Sequence, residues 1–230
     1  MIAQLRSMGD ATKAADMAAY HKTEREFLGL PALGLDEMAR DMRRDLTLPD
    51  RLALAQGLWQ SDIHEARILA AKLLTQARIR PDDAAVWALI CGWVPDFDSW
   101  ALADHASIAG AKRLQARPER LDDLEAWTTE PNLWVRRAAL VMTLPWARLS
   151  HPKPADLVVR ERVLGWAAGY VADQEWFIQK AVAWWLRDLS RHDPVRVLAF
   201  LDGPGAGLKR FARTEAQRLM RASSASVQNT

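Results

Sequence analysis

Three segments of the chain place a tryptophan and a charged residue three or four positions apart. The pairs are Trp100 with Asp104, Trp134 with Arg137, and Lys180 with Trp184. Residues at that spacing share one face of an α-helix, so each pair would present a ring and a charge together. Aligned on one surface, the pairs would form a cationic groove with aromatic walls and one carboxylate, which suits a sugar-phosphate backbone. In the alternative reading, the charges pair with each other over a solvated face and the rings belong to the core.

A second group of basic residues lies within residues 207–221, where Glu215 is the single acid. Its members are Lys209, Arg210, Arg213, Arg218 and Arg221. The group follows the loop DGPGAG, which could bring backbone N–H groups at a helix start to a phosphate. The spacing of glycines and lysine that defines a P-loop is missing. The alternative here is a solvated capping helix.

The other reactive residue types exclude several kinds of chemistry. The one cysteine, Cys91, lies in the apolar run WALICGWV, and no GxSxG elbow occurs, so nucleophilic catalysis by Cys or Ser has no support. The 5 histidines are scattered and form no HExxH, so we expect no metal site and no cofactor. His105, beside Asp104, is the one histidine that could take part in chemistry; the alternative is a surface or core role.

Composition limits the class of protein. Of 230 residues, 50% are hydrophobic and 26% charged, which fits one folded domain or two small ones. The net charge of +2 does not by itself indicate a nucleic-acid partner. There are 11 Trp against 5 Phe and 2 Tyr, and the ordinary use of such rings is to fill helix interfaces. The longest uncharged stretch, 84–95, is too short to span a membrane, and the N-terminus shows no secretory signal. We therefore expect the protein in the bacterial cytosol or nucleoid. We also expect a monomer.

The elements that must position these residues are helices. With only 11 Gly and 11 Pro and no convincing alternating strand, the pattern favours helix throughout. We predict helices at about 11–28, 35–46, 49–60, 62–78, 82–93, 98–116, 119–127, 131–145, 154–171, 174–190, 194–201 and 207–222. Start signals are a capping box of Asp62 and Glu65, Asp193 before Pro194, and Thr129 two residues before Pro131.

A repeat is visible among these helices. Residues 64–74, 133–144 and 176–189 share a basic position followed by an Ala-rich apolar run, with Arg67, Arg137 and Lys180 as the basic residues. If Asp104 takes the equivalent place in residues 99–112, the spacing is that of a HEAT-type helix pair. We therefore predict an all-α, HEAT-like helical-repeat solenoid with a concave groove. It would form a single domain over residues 11–222, flanked by flexible ends at 1–10 and 223–230.

Four segments resemble the DNA alkylation repair proteins, the HEAT-like-repeat DNA glycosylases of the AlkD type. They are AAYHKTEREFLGLP (18–31), FDSWALADHA (97–106), NLWVRRAALVMTL (132–144) and EWFIQKAVAWWLRDLSRHDPVRV (175–197). By this resemblance, Trp100 and Trp184 match the two rings that flank the lesion-bearing deoxyribose, Asp104 the catalytic carboxylate, and Arg137 an arginine on the DNA backbone. Residues assigned to DNA binding are Tyr20, Arg136, Lys180, Lys209, Arg210 and Arg213.

The resemblance implies an alkylpurine DNA glycosylase of base excision repair, acting on double-stranded DNA without flipping the base. It would hydrolyse the N-glycosidic bond of cationic purines such as 3-methyladenine and 7-methylguanine, with Asp104 stabilising the oxocarbenium-like sugar and orienting water. Two departures stand out. Ala101 follows Trp100 where some members carry an acid, and Glu24, Arg25 and Glu26 precede Phe27 where a more apolar stretch is common.

Two other functions remain open from the sequence. A catalytically inactive helical-repeat protein could keep the groove and bind distorted or branched DNA. A protein-interaction scaffold is the commonest role of helical repeats, and it predicts an apolar or mixed concave face without salt-dependent DNA binding.

Overall fold

The computed structural model describes residues 1–220, and this part of the chain is built from α-helices and short 3-10 turns without a β-strand. The strongest β feature is an isolated bridge between Glu26 and Ile63. The all-α prediction is therefore confirmed. The chain divides into two compact units, Met1–Pro118 and a second that begins at Glu119. The predicted flexible tail, 223–230, lies outside the described residues.

The first unit contains seven α-helices within its described residues. They are α1 (Ile2–Ser7), α2 (Ala11–His21), α3 (Ala32–Asp45), α4 (Leu48–Trp59), α5 (His64–Leu73), α6 (Ala84–Trp93) and α7 (Trp100–Ala116). Helix α5 is the core of the unit because it packs against α3, α4 and α7, and all of its residues are buried. Its alanines, Ala66, Ala70 and Ala71, have no exposed surface, and their small size lets neighbouring helices approach.

The second unit is built in the same way around a different helix. Its described α-helices are α8 (Leu121–Trp127), α9 (Leu133–Val141), α10 (Leu144–Ala147), α11 (Pro154–Gly169), α12 (Trp176–Leu189), α13 (Pro194–Asp202) and α14 (Arg210–Ala216). Helix α12 is central, since α9, α10, α13 and α14 all pack on it. Its apolar face is fully buried, with Trp185 and Leu186 at 0% exposure.

The predicted repeat matches how the helices pack inside each unit. The four repeat positions, Arg67, Asp104, Arg137 and Lys180, lie on α5, α7, α9 and α12. Within the first unit α5 packs on α7, and within the second α9 packs on α12. Helices that carry equivalent positions are therefore neighbours, as stacked repeats require. In the described part of the chain, no helix combines the length and the hydropathy that crossing a bilayer takes.

Of the three predicted helix-start signals, one is confirmed and two are wrong. Asp193 accepts a hydrogen bond from the Arg196 backbone N–H, so the predicted start of α13 is confirmed. The capping box is wrong, because α5 begins after Ile63 and Glu65 binds elsewhere. Thr129 is not the cap of α9 either; Asn132 is.

The N-terminal part of the first unit also differs. Helix α2 ends at His21 instead of residue 28, because Lys22 adopts the left-handed conformation with φ of 55°. Within residues 1–10 a helix forms, α1, and it buries Leu5 completely. The sequence pattern does not indicate this helix.

Candidate functional site

In the first unit, the start of α7 carries the predicted catalytic carboxylate beside a tryptophan. Trp100 is the first residue of α7 and Asp104 follows one turn later, so both side chains leave the same face. The buried Ser99 caps the helix by accepting a hydrogen bond from the backbone N–H of Leu102 at 3.4 Å. Both Trp100 and Asp104 are half-buried. The helix therefore holds ring and carboxylate together where solvent reaches them, as their spacing predicts.

The Trp100 ring is fixed by aromatic residues of α2 and of the loop after it. His21 stacks on Trp100 with ring centres 5.2 Å apart and an angle of 25°. Phe27 also stacks on His21, with ring centres 5.7 Å apart. Tyr20 meets Trp100 edge-on at 6.1 Å and is 70% exposed. The predicted DNA-binding tyrosine and the predicted catalytic tryptophan are therefore in contact.

A buried carboxylate on α5 anchors the loop that carries Phe27. Glu65 is completely buried and accepts hydrogen bonds from the backbone N–H groups of Leu28, Gly29 and Leu30, at 2.7 to 3.2 Å. Gly29 has φ of 77°, and a Cβ there would stand 2.2 Å from the carbonyl oxygen of Asp10. The loop is therefore tied to α5 and pressed against the start of α2, which places Tyr20 and His21 over α7.

Two histidines of the first unit, His64 and His105, are neutral at physiological pH. Burial lowers the pKa of His64 to about 3, with smaller contributions from the charged forms of His21 and His105 and from Arg25. Burial and the charge of Lys72 lower the pKa of His105 to about 4, although Asp36 opposes that shift. His105 is half-buried and next to Asp104 in sequence. The charged groups that act on His105 are therefore Lys72 and Asp36, and its imidazole is uncharged near pH 7.

In the second unit, Trp184 lies between two arginines and a carboxylate. The guanidinium carbons of Arg137 and Arg148 are each 6.0 Å from the centre of the Trp184 ring. The indole Nε1 donates to Asp188 Oδ2 at 3.2 Å, and Arg148 Nε donates to the same oxygen at 2.8 Å. Arg137 is only 3% exposed, and its Nη1 donates to the carbonyl of Phe177 at 2.9 Å. The ring is thus held in one orientation by cations and an acceptor.

A cleft of about 540 Å³ opens beside Trp184. Its lining is Arg148, Trp184, Arg187, Asp188, Arg191, His192, Arg218 and Leu219. Four arginines therefore stand against one carboxylate among these described lining residues. Arg187 and Arg218 both pair with Glu215. Even with that acid counted, the cleft has an excess of positive charge, which attracts anions.

Two other predicted DNA-binding residues, Arg136 and Lys180, have close partners within the second unit. Arg136 pairs with Asp173 at 3.1 Å and also donates to the carbonyls of Glu130 and Pro131. Lys180 is exposed, and its Nζ lies 4.5 Å from the ring centre of Trp176. From the sequence we paired Lys180 with Trp184, whereas in the structure the cation–π partner of Lys180 is Trp176.

The basic group near the C-terminus divides into inward-facing and outward-facing residues. Arg213 donates to the carbonyls of Leu201 and Gly205 at 2.6 and 3.1 Å, so it holds the preceding loop in place. The backbone N–H of Lys209 donates to Oε1 of Gln179, and its Nζ donates to the carbonyl oxygen of Gln174. Arg210 is exposed. Arg221, the last residue of this group, lies outside the described residues.

Sequence reasoning missed Asp188, Arg148 and His21. Asp188 is four residues after Trp184 on α12, a spacing that could have indicated the contact. Arg148 and His21 have no such local signal, because each reaches its tryptophan from another helix or loop. Among the described residues, no group of three His, Cys, Asp or Glu is arranged to hold a metal ion.

Comparisons with known proteins agree with this architecture. The family described as "DNA alkylation repair enzyme" matches residues 1–220. The chain is similar to the solved structure of a predicted DNA alkylation repair enzyme from Enterococcus faecalis, with 21% identity, 91% of this chain and 95% of that chain covered, and a TM-score of 0.75. It is also similar to AlkD2 from Streptococcus mutans, with 18% identity, 82% and 89% covered, and a TM-score of 0.60. The similarity to these two solved structures shows the fold alone. No curated protein matches the chain.

Proposed function

Because the chain belongs to the DNA alkylation repair enzyme family, we propose that it is a DNA glycosylase that removes cationic N3- and N7-alkylated purines from duplex DNA. Candidate lesions are 3-methyladenine and 7-methylguanine. The observation that carries the proposal is the placement of Asp104 one turn after Trp100, both half-buried, at the start of α7. A carboxylate beside an aromatic ring is the arrangement that a sugar cation needs.

The chemistry of the substrate explains why one carboxylate suffices. A purine alkylated at N3 or N7 carries a positive charge, so it leaves without being protonated by an acid. As the N-glycosidic bond stretches, positive charge develops on the deoxyribose, as in other glycoside cleavages with an oxocarbenium-like transition state. Asp104 would stabilise that charge and orient the attacking water. His64 and His105 are neutral near pH 7 and would not oppose it.

The tryptophans would contact DNA, each from its own unit. The π-face of an indole attracts a cation, so Trp100, one turn before Asp104, would contact the deoxyribose as it becomes positive, and Trp184 would contact DNA at the cleft of the second unit. Each ring is pre-oriented by its own unit: Trp100 by the stack with His21, and Trp184 by its hydrogen bond to Asp188. Preorganised groups act without reorganising during the reaction. The base would leave without being flipped into a pocket, as the family resemblance implies.

The positive residues of the second unit would bind DNA phosphates. Arg137 adds its charge beside Trp184, and the cleft arginines Arg148 and Arg191 would contact the backbone. Lys180 and Arg210 are exposed and would extend this contact along the duplex. In the first unit, the exposed Tyr20 would contact DNA beside Trp100. Arg136, Lys209 and Arg213 also bind groups of the protein itself, so their contribution to DNA would be mainly electrostatic.

The decisive experiment replaces the carboxylate. We expect Asp104→Asn to keep the fold and most of the DNA affinity but to lower the single-turnover rate of 7-methylguanine release by about 100- to 1,000-fold, the usual effect of removing one preorganised electrostatic group. Asp16→Asn is the matched control, because Asp16 is exposed on α2. Free alkylpurine released from methylated duplex DNA is the measurement. Undiminished release by the Asp104 variant would refute its role.

The same assay distinguishes the proposed glycosylase activity from a competing function. The cationic cleft of the second unit would serve equally well in a catalytically inactive protein that binds distorted or branched DNA. In that case the wild-type protein releases no base from methylated duplex and binds a four-way junction more tightly than a linear duplex.

A further inference from the structure

A second cationic cavity lies in the first unit, and neither Trp100 nor Asp104 lines it. Its volume is about 460 Å³, and it is lined by Leu48, Arg51, Gln76, Arg78, Ile79 and Arg80. Three of these six described residues are arginines and none is an acid. Leu48 and Arg51 come from the start of α4, and the other four follow the end of α5. Like charges gathered around one cavity are unfavourable unless an anion joins them.

Arg51 is the buried member of this group. It is 6% exposed, and its Nη1 donates to the neutral side chain of Gln76 at 2.6 Å. Its Nε is buried without a hydrogen-bond partner. Burial lowers the pKa of the Arg51 guanidinium, and the nearby charge of Arg43 lowers it further. A buried guanidinium stays charged and is costly without a counter-charge, so the site favours an anion that would restore one.

The segment that carries the outer arginines is held in place. Arg113 donates to the backbone carbonyls of Gln76 and Ala77 and pairs with the buried Asp83 at 3.0 Å. Arg43 donates to the carbonyl of Lys72 at 2.5 Å. These contacts fix the backbone where the chain leaves α5. Arg78 and Arg80, both exposed, therefore project from a positioned segment at the cavity.

We propose that this cavity is a binding site for a phosphoryl group. Arginine presents a planar fork of donors that matches the oxygens of a phosphate, and charge-assisted bonds of this kind are stronger than neutral ones. The buried Arg51 would bind the anion inside the cavity, and the exposed Arg78 and Arg80 would bind it at the opening. The phosphoryl group has two possible sources: the DNA backbone, or a small phosphorylated compound, for which the cavity is large enough. The site does not use any residue of the proposed glycosylase chemistry and does not depend on it.

Inorganic phosphate is the first probe. We expect phosphate to raise the melting temperature of the wild-type protein above that in chloride of equal ionic strength, because a ligand of the native state stabilises it. The double variant Arg78→Gln/Arg80→Gln should bind phosphate about 100-fold more weakly by calorimetry, about tenfold for each charged hydrogen bond lost. Both residues are exposed, so this variant should fold even if Arg51→Met does not.

The control is Arg40→Gln, which removes one exposed positive charge from α3. It should bind phosphate like the wild type. If phosphate stabilises the wild-type protein no more than chloride does, or stabilises the double variant equally well, the site does not exist.

The affinity of the double variant for undamaged duplex DNA identifies the source of the phosphoryl group. If the double variant loses DNA affinity and its salt dependence becomes shallower, the site binds the DNA backbone. If it loses phosphate binding but keeps its DNA affinity, the site takes a small phosphorylated compound. Either result supports the site, and excision of 7-methylguanine, measured in parallel, reports separately on the proposed function.

Discussion

At the scale of single residues, the tryptophans separate into two groups. Trp93 and Trp185 are 2% and 0% exposed and fill the core, and Trp93 stacks on Trp59 at 4.4 Å. Trp100 and Trp184 are half-buried, and each lies next to charged or polar side chains. The core-filling role is therefore confirmed for Trp93 and Trp185, and the role of Trp100 and Trp184 at a DNA site stays a prediction. What distinguishes them is the neighbourhood of the ring.

Asp188 is the residue that orients Trp184, and its replacement tests that role. Asp188→Asn removes the negative charge that accepts from Trp184 and Arg148. We expect the single-turnover excision rate to fall about tenfold, which corresponds to losing a hydrogen bond to a charged group. Duplex affinity should fall less, because the arginines remain.

The control for this change is Asp202→Asn, at an aspartate whose side chain is 80% exposed in the same unit. Its excision rate should match that of the wild type. Equal rates for the Asp188 variant and the control would mean that the Trp184 ring does not need Asp188.

At the scale of elements, the position of α2 depends on contacts with distant parts of the first unit. The loop after α2 is bound by Glu65 of α5, and Arg25 of that loop pairs with Asp62 at 2.8 Å. Neither contact is a helix-capping interaction, although the sequence spacing of Asp62 and Glu65 is that of a capping box. The aromatic stack on Trp100 is therefore set by the packing of a loop against α5.

Gly29→Ala should break this arrangement. The added Cβ would meet the Asp10 carbonyl oxygen at 2.2 Å and the backbone nitrogen of Ala14 at 2.7 Å, at a left-handed φ. Strain and overpacking of this kind cost about 2 to 5 kcal/mol of unfolding free energy. Chemical denaturation monitored by circular dichroism measures the loss.

Gly57→Ala provides the matched comparison. Gly57 lies within α4, and a Cβ there would have no atom within 4 Å. Alanine should stabilise that helix by about 0.5 to 1 kcal/mol. A Gly29 variant as stable as the Gly57 variant would contradict the described loop conformation.

At the scale of the whole molecule, the net charge of +2 conceals an uneven distribution of charge. Four arginines line the cleft beside Trp184, where two acids pair with three of them, and three arginines line the cavity beside Arg51, which has no acid among its described lining residues. The bulk charge therefore says little about anion binding. The proposed DNA binding would depend on such local concentrations of charge, above all on the cleft beside Trp184.

The salt dependence of DNA binding tests this distribution. Arg191 is exposed at the cleft beside Trp184, so Arg191→Gln should remove about one phosphate contact. The slope of log affinity against log salt concentration should then become shallower by about 1. Fluorescence anisotropy at several salt concentrations measures it, with Arg40→Gln as the charge-matched control. An unchanged slope for the Arg191 variant would place the DNA contacts elsewhere.

The sequence was sufficient for the helical class, the family, and the shared face of Trp100 and Asp104. Those features depend on local spacing, because the period of a helix fixes which residues three or four apart lie together. Only the tertiary structure decided the partners: Arg137 and Arg148 against Trp184, Glu65 on the loop after α2, and Arg51 in its cavity. These partners come from other helices, and their meeting depends on how whole helix faces pack, which no local pattern encodes.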